Sequence, residues 1–205
     1  MTAELLLAFV LFAFVTSVTP GPNNTMLLAS GANFGLRRSL PHMLGISLGL
    51  MLLVLAVGLG LGQLFEQVPL FYSLLRYFGA AYLLYLAWKI ARAGAPDSTG
   101  ARSAKPFSFL QAAIFQWVNP KAWIMAIGAI TTYTPQENFL TNVVLIAALF
   151  ALVNCPTMSV WTVAGSLLRT WLNDPRILRR FNIGMALLLV TSLYPILADF
   201  GGARS

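Results

Sequence analysis

The sequence predicts an all-α membrane protein with six transmembrane helices, arranged as two inverted three-helix repeats whose helices 1 and 4 are broken near mid-bilayer. Three observations carry this expectation. Of 205 residues, 58% are hydrophobic and only 9% charged, against roughly 25% charged in soluble domains. The apolar residues fall into six runs long enough to cross a bilayer, and the runs do not alternate as barrel strands would. Proline interrupts the first and fourth runs at corresponding places.

The first run spans about Leu5 to Ala32 and contains "TPGPNN", Thr19 to Asn24. Glu4 precedes it, and no Lys or Arg occurs before Arg37. The run also exceeds the roughly 7–15 apolar residues of a cleavable signal, so a retained span is expected. The second run, Leu40 to Leu64, carries Gly45-x-x-x-Gly49 and Gly58-x-Gly60-x-Gly62, which suit close helix packing. His42, beside Pro41 at its start, reads as an interfacial histidine in preference to a proton relay. The third run is Pro69 to Ile90.

The polar stretch "ARAGAPDSTGARSAKP" follows, rich in Gly, Pro, Ser and charge as flexible connectors are. It divides the chain into a repeat at 1–91, a linker at 92–106 and a repeat at 107–205. Three spans per half is odd, so the halves must lie upside down relative to one another. The fourth run is Phe107 to Ile130 and the fifth Phe139 to Leu168. Asn154-Cys155-Pro156 interrupts the fifth, either widening a cavity or making a simple kink. The sixth run is Ile177 to Leu197.

Orientation follows from the basic residues. Arg37, Arg38, Lys89, Arg92, Arg102, Lys105, Arg169, Arg176, Arg179 and Arg180 flank or occupy loops 1–2, 3–4 and 5–6, ten of the 13 Lys and Arg. Glu4, Glu66, Glu137 and Asp199 lie on the other side, with Arg76 and Arg204 the only cations near them. The positive-inside rule places the basic loops in the cytoplasm and both termini outside. The net charge of +7 therefore reads as membrane topology, and no nucleic-acid partner is expected.

Pairing the first spans of the two halves, "VTSVTPGPNNTMLLASGA" with "IFQWVNPKAWIMAIGAI", brings Pro20 opposite Pro120. Proline costs roughly 3 kcal/mol inside a helix but nothing at its first position. Asn119-Pro120 therefore reads as an N-cap followed by a helix start. Gly21-Pro22 or Thr19-Pro20 can do the same in the first half. Each span becomes two half-helices meeting near mid-bilayer. A half-helix N-terminus offers N–H groups to a carboxylate, and the preceding C-terminus offers carbonyls to an ammonium. A zwitterion needs both. Asn23, Asn24 and Asn119 add amides at that depth, Gln116 precedes the second break, and Asn154 lies in the fifth run. Gln111 is a weaker candidate.

Lys121 is the one ionisable side chain expected near the middle of a span. A central charge costs at least roughly 2.5–3.5 kcal/mol on insertion scales, which points inward and to function. It suits a substrate carboxylate, or serves carbonyls freed at the first break.

Single Cys155 excludes an intrachain disulfide and reads as a small buried hydrophobe. One Cys and one His make a poor metal set, so no metal or cofactor is expected. No mid-membrane Asp pair, Ser–His dyad or His-Glu-x-x-His supports an intramembrane enzyme.

"TPGPNN" in the first span, "GAAYLLYLAWKI" in the third, "FLQAAIFQWVNPKAW" in the fourth and "RRFNIGMALLLV" in the last resemble the LysE/RhtB family of bacterial amino-acid exporters, over essentially the whole chain. The third span departs mildly, with Ala80 after Gly79 where paired glycines are frequent. The resemblance implies an inner-membrane exporter of amino acids or close derivatives, driven by the proton gradient or the membrane potential. By motif it assigns Pro20, Gly21, Pro22, Asn23, Asn119, Pro120 and Lys121 to the signature, with Asn24 extending it. Since no Asp or Glu falls at mid-depth, a neutral zwitterionic substrate is expected. The partners are that substrate and the lipid bilayer, with homo-oligomerisation left open. The alternative is a passive channel or facilitator for small polar solutes.

Overall fold

The computed structural model describes residues 1–61, 69–93 and 105–193. All regular elements among them are helices: α1 (Ala3–Val18), α2 (Pro22–Phe34), α3 (Leu36–Ala56) continued by a π-helical turn at Val57–Leu61, α4 (Pro69–Ala91), α5 (Phe109–Val118), α6 (Pro120–Tyr133), α7 (Phe139–Leu168) and α8 (Pro175–Thr191). Most of the linker, together with Gly62, Glu66, Arg102, Asp199 and Arg204 and the ends of the second and sixth runs, lies outside the described residues.

Local chemistry sets the helix ends. The Thr2 hydroxyl accepts from Leu5 N at 3.3 Å to start α1, and Ser108 with Gln111 forms a capping box on α5. Asp174 caps α8 ahead of Pro175. Pro22, Pro120 and Pro175 all sit in the first turn of their helices, where the missing N–H is harmless. Gly35 ends α2 at φ 79° and Gly60 bends the π-turn at φ 101°. Both conformations favour a residue without Cβ.

Among the described residues, two single helical stretches are long and apolar enough to cross a membrane, Leu36–Leu61 and Phe139–Leu168. The pair α1 and α2 together makes a third, bent by 58° at its break. Proline does not divide the fifth run: α7 continues through Pro156. The Thr157 and Ser159 hydroxyls donate to Val153 O and Cys155 O, at 2.7 and 3.0 Å. Side chains thus occupy carbonyls around the proline, as membrane helices allow.

The outer shell is apolar, with Leu7 61%, Ile124 72% and Leu152 69% exposed. Such a shell needs lipid, because no soluble surface tolerates so continuous an apolar coat. Inside, Phe9, Phe150 and Ala126 belong to one cluster between α1, α3, α6 and α7. Its rings meet at 5.5 Å between Phe9 and Phe150 and at 5.1 Å between Phe12 and Tyr133. A second cluster joins α2, α4, α5 and α8 through Met26, Leu83, Phe115 and Leu189.

Glycines let the helices approach. A Cβ on Gly31 would collide with Thr162 O, and one on Gly165 with Leu28 O, so α2 and α7 cross backbone to backbone. Gly45 and Gly49 face α5 at Phe109 and Ala113, the packing role read from their spacing.

At one end of the bundle the C-terminus of α2 meets α8 and the end of α4. Asn33 and Asn182 exchange amide hydrogen bonds of 2.7 and 2.9 Å, and Asn182 also donates to Ala93 O at 2.6 Å. Lys89 donates to Gln111 at 2.9 Å, tying α4 to α5. The other end holds the α6–α7 turn, where the Asn142 amide caps Glu137 O at 2.7 Å.

Candidate functional site

The two breaks lie against each other. At the first, α1 ends in unpaired carbonyls because Pro20 and Pro22 supply no N–H. Gly21 is the N-cap of α2 and Pro22 opens that helix, so Gly21-Pro22 fills the role for which Thr19-Pro20 was the other option. At the second, Asn119 closes α5 and caps α6, its side chain accepting from Lys121 N at 3.1 Å. That is the cap-then-proline start expected from the sequence.

The freed carbonyls of α1 find partners across the break. The Asn24 amide lies 2.8 Å from Thr19 O, 3.2 Å from Ser17 O and 3.3 Å from Val18 O. Trp161 Nε1 donates to Val18 O at 3.2 Å. The Lys121 ammonium, from the other half of the chain, donates to Thr19 O. Lys121 Cδ would lie 2.9 Å from a Cβ on Gly21, so glycine makes room for the lysine stem. Asn23 and Gln116 then face one another, donating reciprocally at 2.8 and 3.1 Å. Gln116 is held further by donation to Ala112 O at 2.9 Å.

Between these groups lies a small cleft. Seven of the ten sequence candidates line it: Gly21, Asn23, Asn24, Gln116, Asn119, Lys121 and Asn154. Pro20, Pro22 and Pro120 do not; they shape the breaks. Asn154 is buried in a polar bridge, accepting from Ser47 Oγ at 2.9 Å and donating to Ser17 Oγ at 3.0 Å. It joins α7 to α3 and α1 instead of interrupting its own helix. Gln111 lies apart from the cleft, between Ser108, Lys89 and Tyr85.

Other lining residues were not singled out in the sequence: Thr16, Leu50, Ala122, Met125 and Met158. Two of these stand one helical turn from a candidate, Met125 after Lys121 and Met158 after Asn154. That i, i+4 spacing was the available signal. The cleft lining thus combines amides and an ammonium with the apolar side chains of Leu50, Met125 and Met158. Its lining contains one cation and no carboxylate. Chemically it can take a carboxylate on the ammonium and N–H side and an ammonium on carbonyl and amide oxygens, with a short uncharged side chain against the methionines.

His42 is fully buried among its neighbouring helices. Its ring stacks edge-on to Phe107 at 5.1 Å, and neither ring nitrogen has a partner. Cys155 is half-buried and free. Among the described residues no group of His, Cys, Asp and Glu is arranged to hold a metal ion.

The LysE type translocator family model matches residues 14–192. Curated relatives include the cysteine/O-acetylserine efflux proteins of Escherichia coli (strain K12), Shigella sonnei (strain Ss046) and Shigella flexneri. Each is 36% identical over 192 residues, 93% of this chain and 96% of the relative. No solved structure matches.

Proposed function

The chain belongs to the LysE type translocator family, whose members are transporters and not enzymes, and on that premise we propose that it exports a neutral amino acid or close derivative from the cytoplasm. The observation that carries this reading is the meeting of Lys121, from the second break, with the Thr19 carbonyl of the first. Carboxylate-seeking and ammonium-seeking groups stand within one cleft there. The substrate carboxylate takes Lys121 from Thr19 O, and the substrate ammonium takes its place on the freed carbonyl and the Asn23 and Gln116 oxygens. A cationic side chain would find no anion in the lining. Relatives named for cysteine and O-acetylserine efflux support small, uncharged side chains.

The architecture in this reading is six spans in two inverted repeats, 1–91 and 107–205, joined by the linker at 92–106. The spans are α1 with α2, α3, α4, α5 with α6, α7 and α8. The end of the bundle with Lys89, Arg169 and the α8 N-terminus faces the cytoplasm of a bacterial inner membrane, and both termini face the periplasm. Transport is driven by the proton gradient or the membrane potential.

Inside-out vesicles holding the protein, energised and offered labelled O-acetylserine, are expected to accumulate it above the external concentration and to lose that accumulation on adding an uncoupler. Labelled lysine is expected not to accumulate. Equilibration without accumulation, unchanged by the uncoupler, would identify a passive facilitator and overturn the exporter.

A further inference from the structure

A second small cleft opens at the end of the bundle where α2 and α4 finish. Its walls include Met26, Ser30 and Asn33 of α2, Lys89 of α4, and Lys105 and Phe107 ahead of α5. Lys89 and Lys105 are among its lining residues, and among the described residues no carboxylate lines it. The Lys89 ammonium is held by neutral partners, the Gln111 side-chain oxygen at 2.9 Å and the Phe107 ring at 4.7 Å. Its charge is therefore fixed in place but not neutralised. Lys105 is exposed at the mouth. Asn33 is locked by its reciprocal bonds with Asn182, which makes that wall rigid.

Helix α2 lines both clefts, with Asn23 and Asn24 on the first and Met26, Ser30 and Asn33 on the second. Ten residues separate Asn23 from Asn33, about 15 Å of helix. Met26, 1% exposed, lies two residues beyond Asn24 and lines the second cleft. An anion attracted to Lys89 and Lys105 is thus delivered to the same helix that carries the central site. Like-signed charge lining a cleft concentrates the oppositely charged solute there.

We propose that this cleft is the reception site for the α-carboxylate of the outgoing amino acid, which docks on Lys89 and Lys105 before it advances along α2 to Lys121. The proposal rests on the exporter reading above. It predicts a sidedness that the central site does not, because only substrate arriving from the cytoplasm passes these lysines first.

The test uses the full chain in oriented proteoliposomes with labelled O-acetylserine. For Lys105→Gln, the half-saturating concentration on the cytoplasmic face is expected to rise about fivefold, as loss of one partly exposed charge contact allows. The maximal rate is expected to fall by less than about twofold, and Lys105→Arg is expected to restore the half-saturation. Substrate presented on the opposite face should show no such change. Unchanged half-saturation in both Lys105→Gln and the Lys89→Gln/Lys105→Gln double variant would overturn the reception site, as would an equal rise on both faces. Absence of O-acetylserine transport by the unaltered protein would instead overturn the exporter reading itself.

Discussion

Lys121→Ala is expected to lower the initial rate of O-acetylserine export at least about 10-fold, the loss that follows from deleting one charge-assisted hydrogen bond in a half-buried site. The substitution removes the single cation of the cleft lining and leaves Thr19 O with the Asn24 amide as its remaining donor. The helices should still assemble, because α6 keeps its Asn119 cap and its proline start. Asn23→Ala is expected to act in the same direction but less strongly, since it opens the pair with Gln116 without removing a charge. Initial rates in proteoliposomes, normalised to folded protein by size-exclusion chromatography, decide the matter. Wild-type rates from both variants would refute the assigned site.

Gly165→Leu is expected to prevent assembly. At this position a Cβ would overlap Leu28 O and reach Ala32 N at 3.0 Å. Flexible side chains can yield at a cost of about 1–3 kcal/mol, but a carbonyl inside a hydrogen-bonded helix cannot. Helices α2 and α7 would have to separate, and α2 carries Asn23 and Asn24 away with it. The expected result is loss of the monodisperse peak in detergent and a fall in yield of inserted protein. Gly184→Ala is the control, because nothing lies within 4 Å of a Cβ there. A well-folded Gly165→Leu protein with normal export would show that the α2–α7 contact is not required.

The breaks were legible because proline chemistry is local. A missing N–H and a capping asparagine announce themselves in sequence, and Asn119-Pro120 forms the cap and start that these residues dictate. The ambiguity between Thr19-Pro20 and Gly21-Pro22 was not local. It is resolved by Lys121, whose stem crosses where a side chain at position 21 would stand. Pro156 shows the reverse case. The same residue type sits inside α7, and the helix runs on through it. The apolar lining of the cleft was harder to read. In a membrane helix both faces are apolar, so Leu50 carries no mark that separates a cleft-facing residue from one facing lipid, and Met125 and Met158 carry only their spacing from Lys121 and Asn154. The burial of His42 was not legible, because proximity to a helix start says nothing about which neighbours cover it.

The most direct measurement is substrate protection at the junction of the broken helices. Thr16 lines the cleft one turn before the first break, and Thr170 lies exposed beyond α7. In a Cys155→Ser background, Thr16→Cys should be alkylated by a small maleimide and saturably shielded by O-acetylserine over the concentration range that saturates export. Thr170→Cys should react at the same rate with or without it. Alkylation of Thr16→Cys that ignores saturating O-acetylserine, or shielding that is equal at both positions, would contradict a substrate held between the two breaks.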